Sequence, residues 1–297
     1  MKYTHFYLVP FTGLGLHNGF RGNQWLKNKI EIFKEYVIPS LLNQQKYADF
    51  YVWLCWRKEE KYNSLVIELE NYLNDCGLRA VHTFSGIPFY DDKYEDSMAK
   101  QRLRETLIRS LGMLRDYVYT NYVLLTIQPS DDIYFDMAGA DLQNTAEELL
   151  KKDPSTKKAI GWTQGYIMNY SNKEIAEYIR TGWTQDDTSA YHTDTIPPFF
   201  TIVFSREEFL DPEKHFEHIG PYKSHEYIAD HLEYTALEGR GFIVGTHGEN
   251  ISTTYNHRYK GRVLEGKERE DVLNRAGIQH SKPIKIDLSP RVKLRQF

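Results

Sequence analysis

Two adjacent carboxylates, Asp131 and Asp132, close the stretch YVLLTIQPSDD, directly after the continuous apolar run Val123–Ile127. A buried parallel strand that ends this way delivers acidic side chains to the carboxyl edge of its sheet, where open α/β sheets bind ligands. Oxygen donors of this kind suit Mg2+ or Mn2+. A divalent cation held there could in turn hold a diphosphate, neutralising its charge as a bond to it breaks. Aspartates that merely close a turn or cap a helix give the same pattern. The strand before the pair, fourth in a series of strands and helices, favours the chemical reading.

The elements that must position this pair can be read from hydrophobic periodicity. Thr4–Pro10 is a predicted strand, followed by the glycine-rich loop FTGLGLHNGFRGN. That loop lacks both the GK[ST] of a triphosphate-binding loop and the GxGxxG dinucleotide spacing. Thr12 and Arg21 border it and are candidates for lining a nucleotide pocket. Gln24–Gln44 is an amphipathic helix with Leu26, Ile30, Phe33 and Val37 on one face, and Pro39 should tighten or kink it. Phe50–Trp56 is a strand apolar on both faces. Ser64–Cys76 is a helix stopped by Gly77, Arg79–Phe84 a third strand, and Ser97–Asp116 a third helix leading to the strand Tyr122–Ile127. Strands alternating with helices imply a parallel sheet covered on both faces. On the third helix, Arg102 and Arg104 could reach a phosphate, since guanidinium suits bidentate anion recognition; an exposed face paired with Glu105 is the plainer reading.

The second half is less regular. Asp141–Lys152 and Ser224–Leu237 read as helices and Phe199–Ser205 and Phe242–Thr246 as strands. Lys158–Trp162 and Gly165–Tyr170 read as an antiparallel pair joined by a short turn. Ser205 to Glu208 fits a capping box. No linker divides the chain, so one domain is expected over 1–257, with halves 1–132 and 133–257, followed by a basic extension over 258–297. From Arg258 to Arg295 there are eleven Lys and Arg against five Asp and Glu.

The chain has 297 residues, 41% hydrophobic and 26% charged, ordinary values for a globular protein with a sizeable core. Its net charge of −4 argues against nucleic acid as the main partner. The 22 tyrosines suit flat or amphipathic ligands as well as packing. Cys55 and Cys76 have no metal or redox spacing. The N-terminus is too short and polar for a signal peptide, and no run reaches the ~20 apolar residues of a membrane span. A cytoplasmic protein, of a bacterial or a virus-infected cell, is expected.

Three stretches carry a resemblance: Arg21–Leu54 (RGNQWLKNKIEIFKEYVIPSLLNQQKYADFYVWL), Gln101–Leu111 (QRLRETLIRSL) and Leu124–Tyr134 (LLTIQPSDDIY). In this order they resemble glycosyltransferases of the GT-A fold, most nearly the rhamnosyltransferase group. The resemblance implies an α/β fold with a mostly parallel central sheet flanked by helices. It also implies a metal-dependent hexosyltransferase of the inverting type, moving a sugar from a nucleotide-diphosphate donor to a hydroxyl on a glycan or similar acceptor. Asp132 would hold Mn2+ or Mg2+, with Asp131 on the metal or the ribose and His247, or else His257, as a further ligand. Glu226 would be the general base for the acceptor hydroxyl, with Asp230 in reserve and Asp186 and Asp187 as weaker candidates. Trp162, Trp183 and Tyr191 could stack on an acceptor sugar. The sequence departs from the family's D-x-D-D pattern: Pro129 stands where its first aspartate would be, which weakens the expected grip on ribose and metal. That departure motivates an alternative, a carbohydrate-binding protein with a decayed site. A second alternative, a viral enzyme glycosylating modified DNA bases, would use the basic C-terminal segment.

Overall fold

A computed structural model describes residues 3–13, 22–86, 96–178, 200–219, 232–248, 250, 255 and 260–286. The first half follows the hydrophobic pattern. Strand β1 (Tyr3–Val9) leads to α1 (Asn23–Ile32), which continues through a π-helical turn, Phe33–Val37, into α2 (Ile38–Gln44). Next come β2 (Tyr51–Arg57), α3 (Ser64–Asp75), β3 (Ala80–Gly86), α4 (Asp96–Leu114) and β4 (Tyr122–Ile127). The four strands are parallel in the order β3-β2-β1-β4. Alternate side chains feed two apolar layers. Tyr7, Val9, Val52, Leu54 and Leu124 pack with Leu26, Phe33, Leu69 and Leu73 of the helices on one face. Phe6, Leu8, Trp53, Val123 and Leu125 pack with Leu107, Leu111 and Leu114 of α4 on the other. Burial on both faces is why these strands read as unbroken apolar runs.

The π turn has a local cause. Pro39 has no N–H to give the carbonyl of Glu35. That carbonyl instead accepts a hydrogen bond from Ser281 Oγ at 2.6 Å. In place of the tightening or kink expected at Pro39 there is a one-turn widening, and it docks the C-terminal segment.

The second half corrects several expectations. After β5 (Ile133–Tyr134) and α5 (Ala138–Lys152), the residues expected to form a hairpin are one long strand, β6 (Lys158–Asn169). The glycine read as turn punctuation is a seat for a ring: a Cβ on Gly165 would lie 2.3 Å from Phe242. Strand β7 (Glu174–Tyr178) follows, then β8 (Phe200–Ser205), α6 (Arg206–Leu210) and α7 (Pro212–Ile219). The capping box at Ser205 and Glu208 is present as expected. Where a helix was expected up to Leu237, β9 (Glu233–Thr246) has already begun. Its first residues lie parallel to β6, from Glu233 opposite Lys158 to Leu237 opposite Trp162, so sheet pairing overrides helical periodicity there. The sheet is therefore mixed rather than mostly parallel. Beyond β4 it runs β8-β6-β7-β10, each neighbouring pair antiparallel, with β9 against β6 and β5.

The basic C-terminal segment is part of this fold up to residue 286. It forms β10 (Lys260–Val263), paired with β7, and α8 (Gly266–Arg275). Leu264, Val272, Leu273, Ala276 and Ile278 are buried with Ile32, Tyr36 and Tyr170. Several of its charges have internal partners: Arg262 pairs with Glu177 and Glu268, and Lys260 with Glu174. No described helix is long and apolar enough to cross a membrane.

One core group sets a pH dependence. His5 is 1% exposed; its Nε2 donates to Thr126 Oγ1 at 2.7 Å, and its Nδ1 accepts from Gln143 Nε2 at 3.1 Å. Burial pushes its pKa down to about 3. The unfolded chain, with a histidine pKa near 6.5, binds the proton more readily, so His5 stabilises the fold fully above that value and progressively less down to about 3. Between pH 7 and 5 this one group is expected to withdraw about 2 kcal/mol. Urea midpoints measured across that range should fall more steeply in the wild type than in His5→Gln.

Candidate functional site

From β1 the chain winds outward through β2 and β3; β4 then returns to the opposite side of β1. The segments that leave the carboxyl ends of β1 and β4 therefore flank a topological switch point, the usual crevice of an open α/β sheet. Beyond β1, the amides of Thr12 and Gly13 both donate to Cys55 O, at 3.3 and 3.0 Å. The Thr12 hydroxyl donates to Glu60 and accepts from the Arg57 amide at 3.1 Å, and Arg57 Nε pairs with Glu60 at 3.3 Å. Thr12, 2% exposed, is thus engaged in fixing the β1 and β2 ends rather than lining a pocket. Burial pushes the Glu60 carboxyl up, against the opposing pull of Thr12 and Arg57.

Beyond β4, Gln128 builds the turn. Its amide donates to Leu8 O at 2.8 Å, and its Nε2 donates to the carbonyls of Pro129 and Asp132, at 2.9 and 2.7 Å. The two aspartates then part. Asp132 Oδ1 accepts from the Gly245 amide at 2.8 Å. The Asp131 carbonyl accepts from Tyr170 Oη at 2.6 Å, and its Oδ2 gathers three side chains: Lys29 Nζ at 2.6 Å, His247 Nε2 at 2.9 Å and Asn250 Nδ2 at 3.5 Å. Asn250 also donates to Gly245 O at 2.9 Å and accepts from the His247 amide, which ties Gly245, His247 and Asn250 together beside Asp131. The Lys29, Asp131 and His247 side chains are only 11%, 14% and 2% exposed.

The adjacent carboxyls are pushed apart electrostatically. Burial raises the Asp131 pKa, but the Lys29 ammonium and His247 outweigh it and hold the group well below the usual carboxylate range. Burial and the neighbouring Asp131 charge push Asp132 well above that range, opposed by the Gly245 amide and Lys29. These opposite shifts favour charge on Asp131 over Asp132, the residue expected from sequence to be the principal metal ligand.

No protein-family model matches this sequence, and no curated protein matches it. The chemistry of the site must be argued from its own groups.

Asp131 and His247 meet, whereas Asp132 turns to the Gly245 amide, and the donor set does not fit a metal centre. Among the described residues no group of three or more His, Cys, Asp or Glu side chains could hold a metal ion. The cation at Asp131 is an ammonium. A divalent ion sharing its oxygen would lie on the order of 4 Å from that ammonium, a repulsion of about 8 kcal/mol at an effective dielectric constant of 20.

Arg104 points elsewhere: it pairs with Glu213 at 2.9 Å and covers the ring of Phe216, tying α4 to α7. Trp162 is 4% exposed and packs near Tyr134, in the core rather than on a sugar. Arg21, Asp186, Asp187, Trp183, Tyr191, Glu226, Asp230 and His257 lie outside the described residues, as does the Arg102 side chain. The periodicity reading missed Lys29, although a signal was present. Lys29 falls inside the stripe of Leu26, Ile30 and Phe33, where a charged residue needs a partner. Asn250 lies three residues after His247 and carried no such mark.

Proposed function

We propose that this chain is a glycosyltransferase that moves a sugar from a nucleotide-diphosphate donor to a hydroxyl on a glycan or similar acceptor. The observation that carries the reading is the cluster of Asp131, Lys29, His247 and Asn250, preformed beyond β4 beside the β1–β4 switch point. Open sheets place nucleotide ligands at such a point, and ionised groups removed from water act there on a charged ligand more strongly than they would in bulk solvent. The resemblance of the three sequence stretches supports the same reading. Glu226 is assigned as the acceptor's base and Asp230 as its substitute, because transfer with inversion requires a proton acceptor on the face away from the leaving diphosphate. A DNA acceptor is less favoured, since the chain's net charge is −4 and Lys260 and Arg262 of the basic segment are paired within the fold.

The test is a panel of UDP-, GDP- and dTDP-linked sugars, assayed for release of the nucleoside diphosphate with and without simple glycan acceptors. At least one donor should turn over. Asp131→Ala should lower that rate by about 100-fold or more, the scale of removing one preorganised electrostatic contact. A chain that cleaves no donor, or an Asp131→Ala variant at wild-type rate, sinks the assignment.

A further inference from the structure

We propose that Lys29 does the work of a divalent cation in this site: its ammonium, aimed by Asp131, binds the diphosphate of the donor, and no metal is needed for donor binding. This rests on the nucleotide-sugar reading above and adds to it a named phosphate-contacting residue and an independence from metal.

Three observations carry it. The first is position. Lys29 lies on α1, the helix that follows β1, yet its side chain crosses to the segment after β4. The ammonium therefore bridges the two segments that flank the switch point. The second is capacity. A lysine ammonium has three N–H donors, and among the described residues only one is engaged, with Asp131 Oδ2. Two remain for an anion. The third is restraint. The side chain is 11% exposed and is fixed at its tip by a carboxylate that His247 and Asn250 also hold. A lysine held in this way has lost most of its rotamer freedom before a ligand arrives, so binding need not pay for ordering it.

The roles within the cluster then separate. Lys29 is the group that meets phosphate, as a compact charge of the kind lysine supplies in phosphate sites. Asp131 is a positioning residue, since its Oδ2 faces the ammonium and the imidazole rather than presenting a bare charge. His247 and Asn250 lock that carboxylate in place.

The experiment is calorimetric titration of the full chain with UDP, GDP and dTDP, each in excess EDTA and again with Mn2+. The diphosphate that binds should bind in EDTA, with a Kd within about threefold of its value in Mn2+. Lys29→Met should weaken it about 30-fold, the scale of one charge-assisted contact, and Lys29→Arg should restore most of the loss. Circular dichroism melts check that both variants are folded, and the EDTA comparison uses the wild type alone, so it stands even if Lys29→Met does not fold. Binding that requires Mn2+, or an unchanged Kd in folded Lys29→Met, overturns this inference and leaves the transferase reading standing. Failure of every diphosphate to bind in either condition overturns both.

Discussion

Gly245→Ala is expected to open the aspartate turn and abolish donor turnover, at a cost in stability of about 3 kcal/mol. Gly245 lies near the end of β9, where its amide donates to Asp132 Oδ1. A Cβ at this position would lie 2.0 Å from the Asp131 carbonyl oxygen and 2.3 Å from Tyr170 Oη. Neither neighbour can yield cheaply. The carbonyl is backbone, in a turn already fixed by Gln128. The tyrosine is fully buried, and its ring is stacked on Tyr36 with centroids 3.8 Å apart. Relief would require β9 to withdraw or the turn to open, and either movement separates Asp131 from Lys29 and His247. A useful control is Gly112→Ala in the exposed part of α4, where an added methyl meets nothing within 4 Å. That change should stabilise the protein by about 0.5–1 kcal/mol, from helix propensity alone. Thermal melts of the two variants should therefore move in opposite directions. A Gly245→Ala protein with wild-type melting temperature and turnover would mean that the contact is not as tight as its geometry requires.

The parts of this architecture that were legible in the sequence are those in which one periodicity dominates. The bounds of β4, Tyr122–Ile127, coincide with its apolar run, and α3 ends where Gly77 takes a positive φ of 75°. The antiparallel half was harder because long-range pairing decides it. Nothing local tells β6 to continue through Gly165; the ring of Phe242, from a strand far along the chain, fills the space that a side chain would occupy. Likewise, Glu233–Leu237 becomes strand because β6 is there to pair with it. The site divides on the same line. Asp131 and Asp132 could be named from residue type and from their place after a strand, and His247 only through the family resemblance. Which aspartate carries the charge could not, because two adjacent side chains on a turn face different neighbours and only the folded turn says which. Lys29 was hidden because helical periodicity was scored on apolar residues, whereas the informative residue was the cation among them.

A strong coupling is expected between Asp131 and Lys29, and a double-mutant cycle separates what the pair does for folding from what it does for chemistry. Asp131→Ala removes the hydrogen-bonded carboxylate from an ammonium that is 11% exposed and leaves only Asp132 as a nearby acid, while Asn250 and His247 lose their common acceptor. Removing one partner of a buried ion pair costs about 3–5 kcal/mol, which for a chain of this length is a fall in melting temperature of roughly 5 °C or more. Lys29→Met fills a similar volume without charge but leaves Asp131 with only His247 and Asn250. The double variant has neither orphan, because an apolar replacement of both partners restores much of what either single change loses. Its stability should therefore exceed that of Asp131→Ala, with a coupling of about 2 kcal/mol measured by urea unfolding. Donor turnover should show no such recovery, since the methionine brings no charge to the diphosphate. Stability rescued and turnover still lost is the signature of a pair whose fold contribution is replaceable and whose charge is not. Should turnover return with stability, the pair is a structural tie and the phosphate contact lies on another residue. Should the cycle show no coupling in stability, the 2.6 Å contact between Lys29 and Asp131 is not energetically formed in solution.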